Sequence, residues 1–400
     1  MDKQAIHRVA FITSHPIQYQ APLFRSLAAR QDIDLTVFFC SRWGLESYRD
    51  PGFGKAISWD VDLLSGYQHR FLPNHGFATG PVGFAGLVNP SICSMASGGF
   101  DAVISTGWFT ANHWITWVAS ILANVPLLLR AESNGLSEEC GWKRFVKHAL
   151  LRTMFSRVGA FLAIGTHSVG YYRSLRVPAE KIFMCPYAVE NDRFFAAHEK
   201  LRNSKMSLRS RFGISPEVPL FLFSGKLSSV KRPLDLLQAF HASQQRGASA
   251  SLAFVGDGEL RAVLEGYVRQ HNVANVVFLG FRNQTEISEC YAMADVLVLP
   301  SGHEPWGLVV NEAMCFGLAI LASDRVGCVP DLVKEGANGY SFQTGDVGQL
   351  STRLAQLAED PGMIAQFGRE SKRLIGEWGI REGVDGIVAS LNEIRRRKSE

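Results

Sequence analysis

Glu304 and Glu312 stand eight positions apart in Ser301-Gly302-His303-Glu304-Pro305-Trp306-Gly307-Leu308-Val309-Val310-Asn311-Glu312. The run follows an apolar strand-like stretch, Val296–Leu299, so Glu304 falls in a loop. Gly307 opens a helix whose first N–H groups can bind phosphate oxygens. Two carboxylates beside a phosphate site repel it unless they serve another purpose. They are useful there if each accepts hydrogen bonds from hydroxyls, one set on a ribose and the other on a hexose. A second cluster, Ser224-Gly225-Lys226-Leu227-Ser228-Ser229-Val230-Lys231-Arg232-Pro233, also sits between a strand and a helix. Gly225 permits a tight turn or a close backbone approach. Lys226 and Lys231 can converge on one anion, and a diphosphate needs such cations because a buried, unpaired anion is costly. Taken singly, the lysines also fit a solvated helix start, and the glutamates a solvated loop and helix face.

The elements that must hold these groups read as alternating strands and helices. In the first half, strands are expected at Arg8–Thr13, Leu35–Phe39, Ala102–Ser105, Leu127–Leu129, Ala160–Ala163 and Ile182–Cys185, with a helix at Ala21–Arg30. In the second half they fall at Leu220–Phe223, Ala253–Val255, Val276–Leu279, Val296–Leu299 and Ile320–Ala322. The helices between them include Pro233–Gln244, Glu259–His271, Gln284–Met293 and Gly307–Phe316. Such alternation predicts doubly wound parallel sheets. His198–Arg211 is polar and basic and reads as a linker. The expected divisions are residues 1–200, an acceptor-side domain; 201–375, a donor-binding domain; and 376–400, a helix packing back on the first. Two such domains leave a cleft, and ligands bind beyond the carboxyl ends of the strands.

At 400 residues the chain has room for two domains. Its 41 Lys and Arg against 37 Asp and Glu leave a net charge of only +4, without the basic stripe of a nucleic-acid binder. A 46% hydrophobic content excludes disorder. The most apolar window, Trp117–Leu129, is broken by Pro126 and reads as a buried helix followed by a buried strand, not a membrane span. The seven cysteines are scattered, with no C-x-x-C pair, which predicts reduced thiols in a cytoplasmic protein. No signal-peptide core precedes the first strand.

Taken together, Glu304 to Glu312 resembles the Glu-x7-Glu motif of the retaining glycosyltransferases of family 4, enzymes of the GT-B fold with two facing Rossmann-like domains. Gly225-Lys226 and Lys231 resemble the diphosphate-binding Gly-Arg…Lys motif. Phe254-Val255-Gly256-Asp257-Gly258 resembles the V-G-x-G strand end, and Leu279-Gly280-Phe281 the turn beside the donor base. Gly327 with Asp331 and Gly336-Ala337-Asn338-Gly339 follow in the family's order. The specific motifs lie within residues 220–340.

The resemblance implies a nucleotide-sugar donor on the C-terminal domain. Lys226, Lys231 and the backbone N–H groups of Leu308 and Val309 would hold the diphosphate. Glu312 would bind the ribose, Glu304 the transferred sugar, and Gly225, Gly256, Phe281, Arg282 and Gly307 would shape the pocket. No metal or other cofactor is expected, since cations and a helix dipole take the place of a divalent ion. The acceptor would be a glycan or a lipid-linked sugar, in surface polysaccharide or glycolipid assembly, with no nucleic-acid partner.

Lys226 departs from the family's Arg, keeping the charge but losing the bidentate fork. In Arg130-Ala131-Glu132-Ser133, Glu132 stands near the family's usual His and becomes a fourth catalytic candidate beside Glu304, Lys226 and Lys231. The first turn, Ser14-His15-Pro16-Ile17-Gln18-Tyr19-Gln20, offers His15, Gln18 and Tyr19 to an acceptor or phosphate. His113 reads as a packed helix histidine. Asp60 and Asp62 form a chance-level D-x-D. Trp142–Arg152 mixes basic and apolar residues, as either a core helix with a solvated face or a peripheral contact with the inner face of the cell membrane. Competing readings are a nucleotide-sugar epimerase on the same fold and a non-catalytic sugar-nucleotide-binding protein. A nicotinamide oxidoreductase needs a G-x-G-x-x-G turn, and Ser14–Gln20 has no glycine.

Overall fold

The computed structural model describes residues 6–45, 48–49, 56–57, 59–80, 82–96, 98–136 and 141–399. Strands are numbered β1 (His7–Thr13), β2 (Ile33–Phe39), β3 (Tyr48–Arg49), β4 (Ala56–Ile57), β5 (Gln68–Phe71), β6 (Ala102–Ser105), β7 (Leu127–Leu129), β8 (Ala160–Ala163), β9 (Ile182–Met184), β10 (Leu220–Ser224), β11 (Ser251–Val255), β12 (Val276–Gly280), β13 (Val296–Leu299), β14 (Ala319–Ser323) and β15 (Gly339–Phe342).

The chain forms two compact units. One comprises residues 1–48, 61–187 and 380–400, and the other 49–60 and 188–379. The first holds a sheet in the order β5-β2-β1-β6-β7-β8-β9, and the second a sheet in the order β12-β11-β10-β13-β14-β15. The pairings are parallel. Both sheets run outward from their first strand in both directions, the doubly wound Rossmann-like arrangement.

Buried parallel strands carry unbroken apolar runs because helices cover both faces, and β1 shows how the runs are shared. Val9 and Phe11 point to one face, packing with the 21–28 and 380–399 helices, while Ala10 and Ile12 point to the other. Ile387 and Leu391 place the C-terminal helix in the first unit's core. The sequence reading misses β5 and β15, both edge strands. β5 is Gln-His-Arg-Phe, half exposed, and has no apolar run to read.

Two expectations are corrected. His198–Arg211 is not a linker. It belongs to helices Asn191–Leu201 and Lys205–Arg211. The polar residues are deceptive because Arg209 is buried and fully partnered: its guanidinium reaches Asp295 at 2.5 Å and the carbonyls of Met293, Pro216 and Val218. Nor is the helix at the start of Trp117–Leu129 buried throughout. Helix Ala111–Leu122 leaves Val118, Ile121 and Leu122 exposed. Among the described residues no helix is long and apolar enough to cross a membrane.

In the second unit the loop after β10 is stitched to the loop after β11. Gly225 N–H bonds to the Val255 carbonyl at 3.0 Å, Leu227 N–H to Asp257 at 3.0 Å, and Leu260 N–H back to Leu227 at 2.9 Å. This approach requires Gly256. Its φ is 128°, and a Cβ there would collide with the Gly225 carbonyl. Gly256→Ala should therefore lower stability by about 2–4 kcal/mol, combining backbone strain with overpacking. A shift of the urea midpoint of that size checks it, and an unshifted midpoint would show that the two loops can part freely.

Candidate active site

In a doubly wound sheet, neighbouring strands whose connections leave in opposite directions open a crevice at their carboxyl ends. In the second unit those strands are β10 and β13, paired through Phe221–Val296 and Leu222–Leu297. The loop after β10 carries Gly225, Lys226 and Lys231. The loop after β13 carries Glu304 and leads to Gly307. Two clusters more than 70 positions apart in sequence are thus brought to one crevice, and Lys231 Nζ forms an ion pair with Glu304 Oε2.

Both partners are largely shielded, with side chains 24% and 15% exposed. Burial, and then the positive charge of Lys226, together lower the Lys231 ammonium to about 8. The adjoining Glu304 carboxylate opposes that trend by favouring the charged form. Lys226 stands close enough to act on Lys231 electrostatically.

The Glu304 loop is fixed from behind. Glu304 N–H bonds to the Arg325 carbonyl at 3.1 Å, Gly327 N–H to the Glu304 carbonyl at 3.0 Å, and Cys328 N–H to Trp306 at 2.9 Å. Buried Trp306 donates to Asn311 Oδ1 at 2.9 Å and stacks on Trp378 with ring centres 5.5 Å apart. Gly307, at φ 99°, caps the 308–315 helix without a side-chain hydrogen bond. The N–H groups of Leu308 and Val309 therefore open that helix beside Glu304, with the positive end of its dipole.

Glu312 sits in a separate polar cluster. Its Oε2 accepts from the Tyr291 hydroxyl at 2.6 Å. Burial raises its carboxyl, opposed by Tyr291, the Arg193 charge and the Gln284 amide. Arg193 holds Gln284 Oε1 at 2.7 Å. Tyr291 also bonds with Ser224, the last residue of β10, which ties the cluster to the strand below Lys226. The sequence reading missed Tyr291, Arg193 and Gln284, which lie on separate elements with no shared motif. Gly280 receives the Gly256 N–H at 2.9 Å, fixing the turn into Phe281. Arg282 lies 5.3 Å from the Phe212 ring and 3.6 Å from Glu286.

The first unit has its own polar cluster. Glu132, in the loop after β7, accepts on Oε1 from the Tyr187 hydroxyl at 2.8 Å and the Tyr19 hydroxyl at 3.2 Å. Burial, then the Glu132 charge, pushes both phenols well above their ordinary range, so they remain donors at neutral pH. Arg130, 4% exposed, lies 4.3 Å over the Tyr187 ring. The sequence reading missed Tyr187, which follows the short β9. Its signal was a tyrosine three residues past a strand end. His15 bonds Ser14 through Nδ1 at 2.9 Å and meets the Trp43 ring at 4.7 Å. Burial lowers it to about 4 in the free protein. Gln18 lies in the same half-buried turn.

His113 is a packing and capping residue. Its Nδ1 accepts from Thr110 N–H at 3.0 Å, and burial lowers it to about 4. Asp62 accepts the N–H groups of Leu64 and Ser65 at 3.0 and 3.1 Å, closing a turn. Among the described residues no group of three or more His, Cys, Asp or Glu side chains forms a metal-binding cluster.

Residues 204–374 match the family model described as Glycosyl transferases group 1. The chain is 35% identical over 181 residues to the sulfoquinovosyl transferase SQD2 of Arabidopsis thaliana, covering 44% of this chain and 32% of that one. It is 32% identical over 171 residues to the N-acetyl-alpha-D-glucosaminyl L-malate synthase of Bacillus anthracis, covering 42% and 44%. The chain thus spans less than half the length of these curated relatives. The crystal structure of Anabaena Alr3699/HepE in complex with UDP and glucose superimposes with a TM-score of 0.70 at 16% identity, covering 96% of this chain and 99% of that one. That likeness establishes the shared GT-B fold of two Rossmann-like domains. The likeness to the group 1 glycosyl transferases is carried by residues 204–374.

Proposed function

We propose that this protein is a metal-independent, retaining glycosyltransferase that moves a sugar from a nucleoside-diphosphate donor to a glycan or lipid-linked acceptor. The observation that carries the reading is the Lys231–Glu304 pair beside the start of the 308–315 helix, with Lys226 adjoining. Two ammonium groups and a helix N-terminus offer three sources of positive potential for a diphosphate. Their value is greatest as the donor C1–O bond breaks and its electron pair moves onto the terminal phosphate oxygen, where charge develops. Glu304, released from Lys231 by the incoming phosphate, is left to accept hydrogen bonds from the sugar hydroxyls.

Glu312, held by Tyr291, takes the ribose hydroxyls. The acceptor oxygen bonds to C1 on the face the diphosphate leaves, and its proton passes to the departing phosphate. Glu132 serves the acceptor side, with one oxygen fixed by two tyrosines. The known occupants of similar proteins support this reading: the Anabaena structure holds UDP and glucose.

Lys231→Ala and Glu304→Ala should each cut transfer by about 10²–10³-fold in protein that circular dichroism shows to be still folded at the assay temperature, and EDTA should leave the rate unchanged. Assays of the purified chain with a panel of nucleotide sugars test this. Near-normal turnover in both variants would end the assignment.

A pH dependence also follows. Lys231 titrates near 8 in the free protein, and a bound diphosphate favours the ammonium and raises it. UDP affinity should therefore hold below pH 8 and fall as pH rises through it. Binding between the free and bound values should take up a proton. Calorimetry in buffers of different ionisation enthalpy reads that uptake, and Lys231→Arg, which stays charged, should abolish it.

A further inference from the structure

Exposed large apolar side chains are unevenly placed. Of the sixteen among the described residues, eleven fall between Phe77 and Leu150 in the first unit, and only Met206, Val230 and Val263 lie in the second. Two helices account for most of the cluster.

Helix Ala111–Leu122 packs Trp114, Ile115, Trp117 and Ala119 on the core and leaves a second apolar face open. It buries Asn112, Thr116 and Ser120, yet exposes Val118, Ile121 and Leu122, which are 43%, 42% and 79% accessible. These positions are i, i+3 and i+4, one continuous face. The helix carries no Asp, Glu, Lys or Arg.

Helix Trp142–Ser156 docks through Leu151, Met154 and Phe155. It presents a second apolar stripe to solvent: Trp142 at 72%, Phe145 at 75%, Val146 at 52% and Leu150 at 52%. Lys143, Arg144, Lys147 and Arg152 flank that stripe in sequence, and the helix contains no acidic residue. The two helices are neighbours, since Trp117 of the first donates to the Met154 carbonyl of the second at 3.1 Å.

We propose that these two helices form a docking face for an anionic phospholipid bilayer, with the apolar stripes entering the headgroup boundary and the exposed Arg144 and Arg152 facing lipid phosphates. Charge selects this occupant. A two-fold contact between copies would set basic helices against each other, whereas a bilayer of anionic lipid complements them. The mixture of Trp, Phe and Leu with basic flanks is that of a helix lying in a membrane interface. The inference stands apart from the donor chemistry and holds or fails without it.

The test is flotation of the full chain with vesicles of mixed phosphatidylglycerol and phosphatidylcholine, compared with phosphatidylcholine alone. The wild type should float with the anionic vesicles, stay behind with the zwitterionic ones, and be released by high salt. Arg144→Gln and Arg152→Gln should each lower partitioning about fivefold, and Arg144→Lys should retain it. Phe145→Ser and Leu122→Ser should lower it while leaving the thermal unfolding midpoint unchanged. Arg202→Gln and Arg381→Gln, exposed arginines elsewhere, should bind as wild type. Three results would overturn the proposal: no flotation of the wild type, equal loss in the Arg202 and Arg381 controls, or a lipid-free dimer that Phe145→Ser dissociates.

Discussion

The contact between Lys231 and Glu304 depends on the pairing of two strands, and the candidate site depends on that contact. A half-shielded lysine beside a second lysine is unfavourable on its own, because both desolvation and repulsion oppose its charge. The Glu304 carboxylate offsets both. It can do so only because β10 and β13 lie side by side, so that their loops leave the sheet at the same edge. The glycine contact between the β10 and β11 loops, and the hydrogen bonds that the Glu304 loop gives to Arg325 and accepts from Gly327 and Cys328, hold the two charges at a fixed place. The pair is preorganised by backbone, not by its own attraction.

The first unit solves a related problem differently. Glu132 is held through hydroxyls instead of a cation, with Tyr19 and Tyr187 both donating to one oxygen. Arg130 lies within reach of this cluster electrostatically but spends its guanidinium on the Tyr187 ring and the Pro186 carbonyl. A cation buried on an aromatic face keeps its charge without a carboxylate partner. Both units thus place polar chemistry beyond the carboxyl ends of parallel strands, where the fold leaves backbone groups and loops free to serve a ligand.

The polar helices Asn191–Leu201 and Lys205–Arg211 and the apolar face of helix Ala111–Leu122 mark opposite failures of pattern reading. In the first, charged residues lie inside because Asp295 and carbonyls satisfy Arg209. In the second, aliphatic residues lie outside while Asn112, Thr116 and Ser120 point in, Asn112 bonding to Asn89 at 2.6 Å and Thr116 to the carbonyl one turn back at 2.7 Å. Periodicity reports which residues share a face. It does not report which face a neighbour covers.

The sequence by itself determined the alternation of apolar strands and helices, the positions of the glycines that end them, and the lysines and glutamates that follow β10 and β13. Those features are local: a buried parallel strand needs an unbroken apolar run, and a tight strand end needs glycine. The tertiary structure alone decided that Lys231 meets Glu304, that Glu312 answers to Tyr291, and that Tyr187 closes on Glu132. Strand order sets these meetings. It emerges from how helices pack on both faces of a sheet, which depends on contacts between residues far apart in the chain and leaves no short-range pattern to read.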